Sequence, residues 1–205
     1  MGIEFRTAKR SELKEVTQLM YDSGVSLYDY LHKTSRNDAL DFIEYEYEKE
    51  TGFCSSQNVI VAVSDGKVLA SSLGFDALQH KKMSGETIKN VLSFHKLRSL
   101  KVLMRLKSYA KTRNPPKEGD YYLSNVCVNP NYRSKGVGVL LMKHQISEAK
   151  KNGYQKFCGD VLISNTRALG FYYALGFKAL YESKLEIDGI SYSAKRLSLD
   201  LDKYH

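Results

Sequence analysis

Tyr121-Tyr122-Leu123-Ser124-Asn125-Val126-Cys127-Val128, then Asn129-Pro130-Asn131-Tyr132, then Arg133-Ser134-Lys135-Gly136-Val137-Gly138, then a helical run to Asn152: this stretch decides the fold. The first block is an apolar strand. Pro130 sits in the turn that follows it. After Gly138, Leu140, Leu141, His144, Gln145 and Ala149 recur along one side of a helix, with Lys143, Glu148, Lys150 and Lys151 largely on the other. The first N–H groups of a helix have no partner within it, and the helix dipole makes that end positive. Two glycines let the backbone approach a bulky anion, and Arg133 and Lys135 add charge. Strand, basic glycine loop and helix together make a phosphate cradle.

The cradle is neither of the two commonest kinds. A Walker loop needs Gly-Lys-Ser/Thr, and here Lys135 precedes Gly136. A dinucleotide fingerprint needs a third glycine or alanine, where this chain has Leu141. A lone Gly-x-Gly is also what a tight turn before a helix looks like, so the rest of the chain has to choose.

The 205 residues suffice for one domain with one core, expected over 1–205, and 42% hydrophobic with 26% charged residues is ordinary for a globular protein. No apolar run fits a signal peptide or reaches the ~18 residues of a membrane span, which points to a cytoplasmic protein without membrane association. Cys54, Cys127 and Cys158 form no Cys-x-x-Cys pair, and no His/Cys cluster has metal-ligand spacing, so reduced thiols and no metal are expected. Cys127 lies just before the loop. With no His near it in sequence, a small buried residue is a better reading than a nucleophile. The net charge of +8 is local: residues 80–118 hold eleven Lys or Arg against Glu86 and Glu118. This stretch could also meet nucleic acid or a membrane surface. Only charge speaks for nucleic acid, with no recognised reading motif beside it, and the Trp often seen on membrane-binding helices is absent from the chain.

In chain order, Ile3–Ala8 alternates as a strand. Ser11 caps a helix with Leu13, Val16, Leu19 and Met20 on its buried side, stopped by Gly24. Asn37-Asp38 caps a second helical region that closes at Gly52. Its outer face, with Asp41, Glu44 and Glu48 and with Glu46 and Glu50 nearby, is either a solvated face or an acidic rim for a cationic amine. Asn58–Ser64 and Lys67–Phe75 form a hairpin about Asp65-Gly66. Residues 80–118 hold one or two basic amphipathic helices. Asp120–Asn129, Lys156–Leu162 and a hairpin from Phe177 to Leu201 about Asp188-Gly189 complete the strands, with Val137–Asn152 and Asn165–Leu175 as helices.

Arg133-Ser134-Lys135-Gly136-Val137-Gly138 resembles the pyrophosphate loop of the GNAT superfamily of acyl-CoA-dependent N-acyltransferases, which reads Arg/Gln-x-x-Gly-x-Gly/Ala. Val128-Asn129-Pro130-Asn131-Tyr132 resembles the family's strand-four exit. Asn165, Ala168, Tyr172, Leu175, Gly176 and Phe177 match the next strand–helix unit, with Phe171 in place of its usual Leu. The core of the resemblance covers roughly the last 85 residues.

The resemblance implies an α+β, three-layer fold: a mixed, mostly antiparallel sheet of about seven strands, splayed between strands 4 and 5, with helices on both faces. Residues 80–118 then become a helical insert between strands 3 and 4, serving as a lid or packing element. It implies transfer of an acetyl group from acetyl-CoA to a primary amine by direct attack. The main chain of Val126, Cys127 and Val128 would hold the pantetheine arm, and Arg133, Ser134, Lys135, Gly136, Val137 and Gly138 the pyrophosphate. Asn165 would contact the arm, and Tyr172 would return the proton to the leaving thiolate. Tyr173 is assigned to the core. No general base is assigned, although Asp120, Glu118 and His80 are candidates if the fold brings them round. The acceptor is a small-molecule or peptide amine. Exposed hairpin edges make a homodimer consistent with the family. A second reading is a non-catalytic CoA-binding module, or one that binds nucleic acid or an anionic partner through the insert.

Overall fold

β-Branched and aromatic residues concentrate in seven runs. In the computed structural model, which describes residues 2–32, 36–187 and 189–204, these runs form one sheet. The strands are β1 (Glu4–Thr7), β2 (Val59–Ser64), β3 (Lys67–Phe75), β4 (Asp120–Val128), β5 (Lys156–Leu162), β6 (Lys178–Ile187) and β7 (Ile190–Asp200), in the spatial order β1-β2-β3-β4-β5-β7-β6. The β4–β5 pair is parallel and the other described pairs are antiparallel. The helices are α1 (Leu13–Ser23), α2 (Val25–His32), α3 (Arg36–Lys49), α4 (Ala77–His95), α5 (Ser99–Lys111), α6 (Val137–Lys151) and α7 (Thr166–Ala174).

Period-two alternation divides the sheet into two buried faces. Val59, Val61, Val63, Leu73, Phe75, Tyr122, Cys127 and Cys158 pack with Val16, Leu19 and Met20 of α1 and Ile43 and Tyr47 of α3. On the other face Leu123, Phe157, Val161 and Leu197 meet Met142 and Ile146 of α6 and Leu169 of α7. Ala62, Leu69 and Ala70 meet Val137 and Leu141 of α6. The insert has a satellite core of its own, in which Phe42 of α3 contacts Val91 of α4 and Val102 of α5. This arrangement is the mixed, mostly antiparallel sheet with helices on both faces that the sequence leads one to expect.

Several local expectations are corrected. Gly24 does cap α1, its N–H bonding Tyr21 O at 3.0 Å, but its own carbonyl accepts from Leu27 and Tyr28 and so starts α2. The glycine is a corner rather than an end, because Tyr28 and Leu31 have a core to enter. Ser11 does not cap α1: it lies in a 3-10 turn over Arg10–Glu12, and Glu12 holds the cap position. α3 begins at Arg36, so Asn37-Asp38 lies inside the helix instead of capping it. The insert's first helix starts at Ala77 rather than near 80. Asp76 and Gln79 form a reciprocal capping box, Asp76 Oδ1 accepting from Gln79 N at 2.7 Å and Gln79 Oε1 from Asp76 N at 3.1 Å. Leu140 is exposed, and the buried stripe of α6 runs through Val137, Leu141, Met142, Gln145, Ile146 and Ala149. Tyr173, assigned to the core, is 43% exposed. Asp188 of the last hairpin lies outside the described residues.

Glu46 is the most instructive correction. It does not join an acidic rim. It is buried, and it ties the insert to α3. Its carboxylate accepts from Thr87 Oγ1 at 2.6 Å, Asn90 Nδ2 at 3.0 Å and Cys54 N at 3.1 Å. Burial pushes its pKa up, and these donors offset only part of the shift. On the same helix Glu44 is ion-paired with Lys14 at 2.7 Å.

Candidate active site

The chemistry-bearing part of the molecule lies where β4 and β5 part company. They pair only at Asp120↔Lys156, Tyr121↔Phe157 and Tyr122↔Cys158. Beyond that, β4 stays paired with β3 as far as Val128↔Ala70, while β5 stays paired with β7 as far as Leu162↔Ala194. The sheet therefore opens into a wedge with two backbone walls.

A bulge in β4 sets the opening. Ser71 faces Cys127 and Leu73 faces Ser124, so two residues, Asn125 and Val126, stand opposite one. Asn125 takes φ +50°, a left-handed conformation that asparagine tolerates better than most residues. Its side chain holds the bulge. Nδ2 donates to Tyr28 Oη at 2.8 Å and Ser23 Oγ at 2.9 Å, and Oδ1 accepts from Ser124 Oγ at 2.9 Å. The α1–α2 corner thus buttresses the bulge. Beyond it, Asn129 N returns to β3 by donating to Leu69 O at 2.9 Å, whereas Val128 O accepts from Arg133 Nε at 3.1 Å. By alternation the polar groups of Val126 and Val128 face away from β3, toward the wedge.

The turn carrying the basic glycine loop sits at the mouth. Asn129 caps a 3-10 turn over Pro130–Tyr132 through Asn131 N at 3.1 Å. Ser134 (φ +60°) and Gly136 (φ +80°) are both left-handed, and this double reversal starts α6 at Val137. Among the described residues, the backbone amides from Ser134 to Val139 meet no acceptor in hydrogen-bond geometry. Arg133, Ser134, Lys135 and Gly136 are exposed, and a Cβ built on Gly136 would meet nothing within 4 Å. Lys135 Nζ lies 5.3 Å from the centre of the Tyr132 ring. Gly138 has a different reason to be glycine. A Cβ there would lie 3.3 Å from Val128 Cγ2 and 3.7 Å from Phe171 Cζ, so its absence lets α6 sit tight against β4 and α7. The loop offers unmatched N–H donors to an anion, and the wedge offers unmatched backbone to an extended chain.

Asn165 caps α7, its Oδ1 accepting from Ala168 N at 3.1 Å. Tyr172 lies on α7 with its ring edge-on to Phe177 at 5.2 Å and Phe171 at 5.4 Å. Tyr172 and Val126 both pack against the cluster of Leu123, Met142, Phe157, Val161 and Leu169. Its hydroxyl has no hydrogen-bond partner among the described residues, and burial pushes its pKa up to about 12. At neutral pH it is a proton donor and not a base. Burial also raises the Cys127 thiol, although Arg133 pulls it back in part, so the group stays protonated and the small-buried-residue reading stands. Cys127 is only 7% exposed.

The candidate bases are not drawn into the wedge. His80 packs between Phe53 and Phe75, at the Tyr122 end of β3–β4, and burial lowers its pKa. Asp120 accepts from Lys117 N at 3.1 Å in the preceding turn. Glu118 is exposed in that turn.

One cluster escaped sequence reasoning. Asp160 of β5, just past the last β4–β5 pair, is buried and accepts from Arg196 Nη2 at 3.0 Å and Tyr122 Oη at 3.1 Å, with Arg113 Nη2 at 3.1 Å. Arg196 also donates to Asn114 O at 2.6 Å, and Arg113 to Tyr122 Oη at 2.8 Å. The guanidinium pKa values of both arginines are raised. The cluster pins the exit of the insert onto the floor of the wedge. An aspartate in the apolar run Phe157–Val161 was the available signal, since a buried carboxylate demands partners.

Against known proteins, the family model described as the acetyltransferase (GNAT) family matches residues 24–177. The chain belongs to that family. Over 55 residues it is 38% identical to the [ribosomal protein bS18]-alanine N-acetyltransferase of Escherichia coli K12; the match covers 27% of this chain and 37% of that protein's length. Among solved structures, one described as an acetyltransferase superposes with TM-score 0.69 at 19% identity, over 97% of this chain and 99% of the other. The Escherichia coli ribosomal-protein-S18-alanine N-acetyltransferase gives 0.56 at 14% identity, over 98% and 94%. A putative acetyltransferase from Salmonella typhimurium, solved with its cofactor acetyl-CoA, gives 0.56 at 16% identity, over 99% and 96%. At these identities the structural matches speak for the fold. Among the described residues no helix is long and apolar enough to cross a membrane, and no group of three His, Cys, Asp or Glu could hold a metal ion.

Proposed function

We infer that the protein is an acetyl-CoA-dependent N-acetyltransferase that acylates a primary amine by direct attack. One observation carries this: a backbone wedge opens beyond Tyr122 and Cys158 beside a glycine loop whose amides, from Ser134 to Val139, are unmatched. Family membership and the acetyl-CoA in the Salmonella structure support it.

The residues present fit such a donor. Amides of Ser134 to Gly138, with Arg133 and Lys135, hold the diphosphate at the positive end of α6. The backbone of Val126 to Val128 would hold the arm as a neighbouring strand would, with Asn165 at the start of α7. Bound acetyl-CoA supplies an activated acyl carbon and a thiol leaving group. A main-chain N–H at the bulge would supply the oxyanion contact for such a thioester, a contribution of about 2.7–4 kcal/mol. Tyr172 holds its proton at Oη for the departing sulfur. The acceptor amine enters from the α1–α2 side and loses its proton to water. The acceptor is a small-molecule or peptide amine, and the protein works in the cytoplasm as one domain over residues 1–205, with the insert beside the acceptor entrance.

Acetyl-CoA at micromolar concentration is expected to raise the melting temperature by several degrees, because a ligand at ~100 times its Kd adds about 2.7 kcal/mol. The double change Arg133→Ala/Lys135→Ala, which leaves the left-handed Gly136 in place, should sharply reduce the shift without lowering the ligand-free melting temperature comparably. A wild-type protein indifferent to acetyl-CoA contradicts the reading.

A further inference from the structure

The insert has an outer surface that the proposed reaction does not use. On α4, Leu78, Lys82, Lys89 and Leu92 recur at helical spacing on the side opposite the buried Met83, Thr87, Asn90 and Val91, and Lys96 follows in the 3-10 turn after the helix. On α5, Leu100, Met104, Lys107 and Lys111 do the same opposite Val102. Leu97 lies in the 3-10 turn joining the helices and is fully exposed, at 101%. Leu78 is 77% exposed, Leu100 70% and Met104 65%. Lys82 and Lys89 on α4, Lys96 in the turn, and Lys101, Lys107 and Lys111 on α5 are exposed, and none is ion-paired among the described residues. Arg105 and Arg113, by contrast, turn inward, toward Leu31 O and toward Asp160.

We propose that this face of the α4–α5 hairpin is a docking surface for an anionic phospholipid bilayer, with Leu97 and Leu100 entering the headgroup layer and the lysines resting on the lipid phosphates. This departs from the sequence expectation of no membrane association, which rested on the lack of a spanning segment: basic residues interleaved with exposed aliphatic ones are the chemistry of an interfacial helix, which needs none. Charge complementarity selects this occupant. Residues 80–118 hold eleven Lys or Arg against two acidic residues, so a second copy of the same face would be repelled. Nucleic acid would satisfy the lysines, but it would leave Leu97, Leu100 and Met104 in water, and the outward positions named here present no aromatic side chain for a base to stack on. Leu97 is the most exposed of these side chains. A deformable headgroup layer can envelop so exposed a side chain.

Co-sedimentation of the full chain with vesicles tests this. The protein should pellet with mixed phosphatidylcholine–phosphatidylglycerol vesicles at low salt, pellet less at high salt, and stay in the supernatant with phosphatidylcholine alone. Leu97→Glu/Leu100→Glu should weaken the binding at least about tenfold. Lys101→Glu/Lys107→Glu should weaken it through charge alone, and both variants should keep the wild-type far-ultraviolet dichroism and melting curve. Equal recovery with neutral vesicles overturns the proposal, as does binding indifferent to both variants. So does RNA that displaces the protein from the vesicles, or a concentration-dependent dimer that Leu97→Glu/Leu100→Glu dissolves.

Discussion

Tyr172→Phe lowers turnover about 10²-fold while leaving the affinity for acetyl-CoA unchanged. The expected size follows from what the phenol does. General acid catalysis is worth about 10²–10⁴, and the low end applies because a thiol with a pKa near that of cysteine, about 8.5, already leaves readily at neutral pH. The specificity of the effect follows from the environment. The Tyr172 ring packs against Phe171 and Phe177, contacts that Phe retains, and its hydroxyl has no partner among the described residues to lose. The pH dependence follows from the pKa of about 12: the acid form is present across the physiological range, so this group produces no alkaline loss of activity below that value. Steady-state kinetics beside donor titration check the claim. A parallel loss of turnover and affinity assigns Tyr172 to packing, and an unchanged turnover removes it from the mechanism.

Asp160→Ala is the substitution with the largest expected effect on stability, about 3–5 kcal/mol. It leaves the Arg196 guanidinium buried without a counter-ion, and Arg113 with the Tyr122 hydroxyl and the face of the Tyr109 ring. For a chain of this length that corresponds to a fall in melting temperature of roughly 10 °C. Removing the carboxylate also strips partners from both arginines that bind the insert exit, one of which holds Asn114 O. Limited proteolysis near 111–118 should therefore quicken in the variant. A loss below about 1 kcal/mol by denaturant titration would mean that solvent already screens the cluster, as it does an exposed pair.

What the sequence made legible is what local physics dictates. Asp65-Gly66 adopts the left-handed pair that a two-residue hairpin needs, with φ +50° and +71°. Gly136 is left-handed at the start of α6, as a backbone-exposing loop requires. Asn165 caps α7, and Cys127 is buried. What stayed hidden depends on partners far away in the chain. The α1–α2 corner was invisible because Gly24 reads as a stop until Tyr28 finds Asn125, 97 residues away. Glu46 falls near a charged helix face by spacing, and only the packing of α4 against α3 buries it. Asp160 needed Arg113 and Arg196, from the end of the insert and from β7. Tyr173 was misplaced because two adjacent tyrosines on a short helix cannot both face the core, and local sequence says little about where the exposed arc begins.

The account rests on main-chain donors at two places: the wedge wall at Val126–Val128 and the loop from Ser134 to Val139. Hydrogen exchange of individual backbone amides, with and without saturating acetyl-CoA, reads both at once. We expect slowed exchange at amides of both segments on binding, and little change in the β6–β7 hairpin. Unchanged exchange in both segments under saturating donor, or protection confined to some other surface, would contradict it.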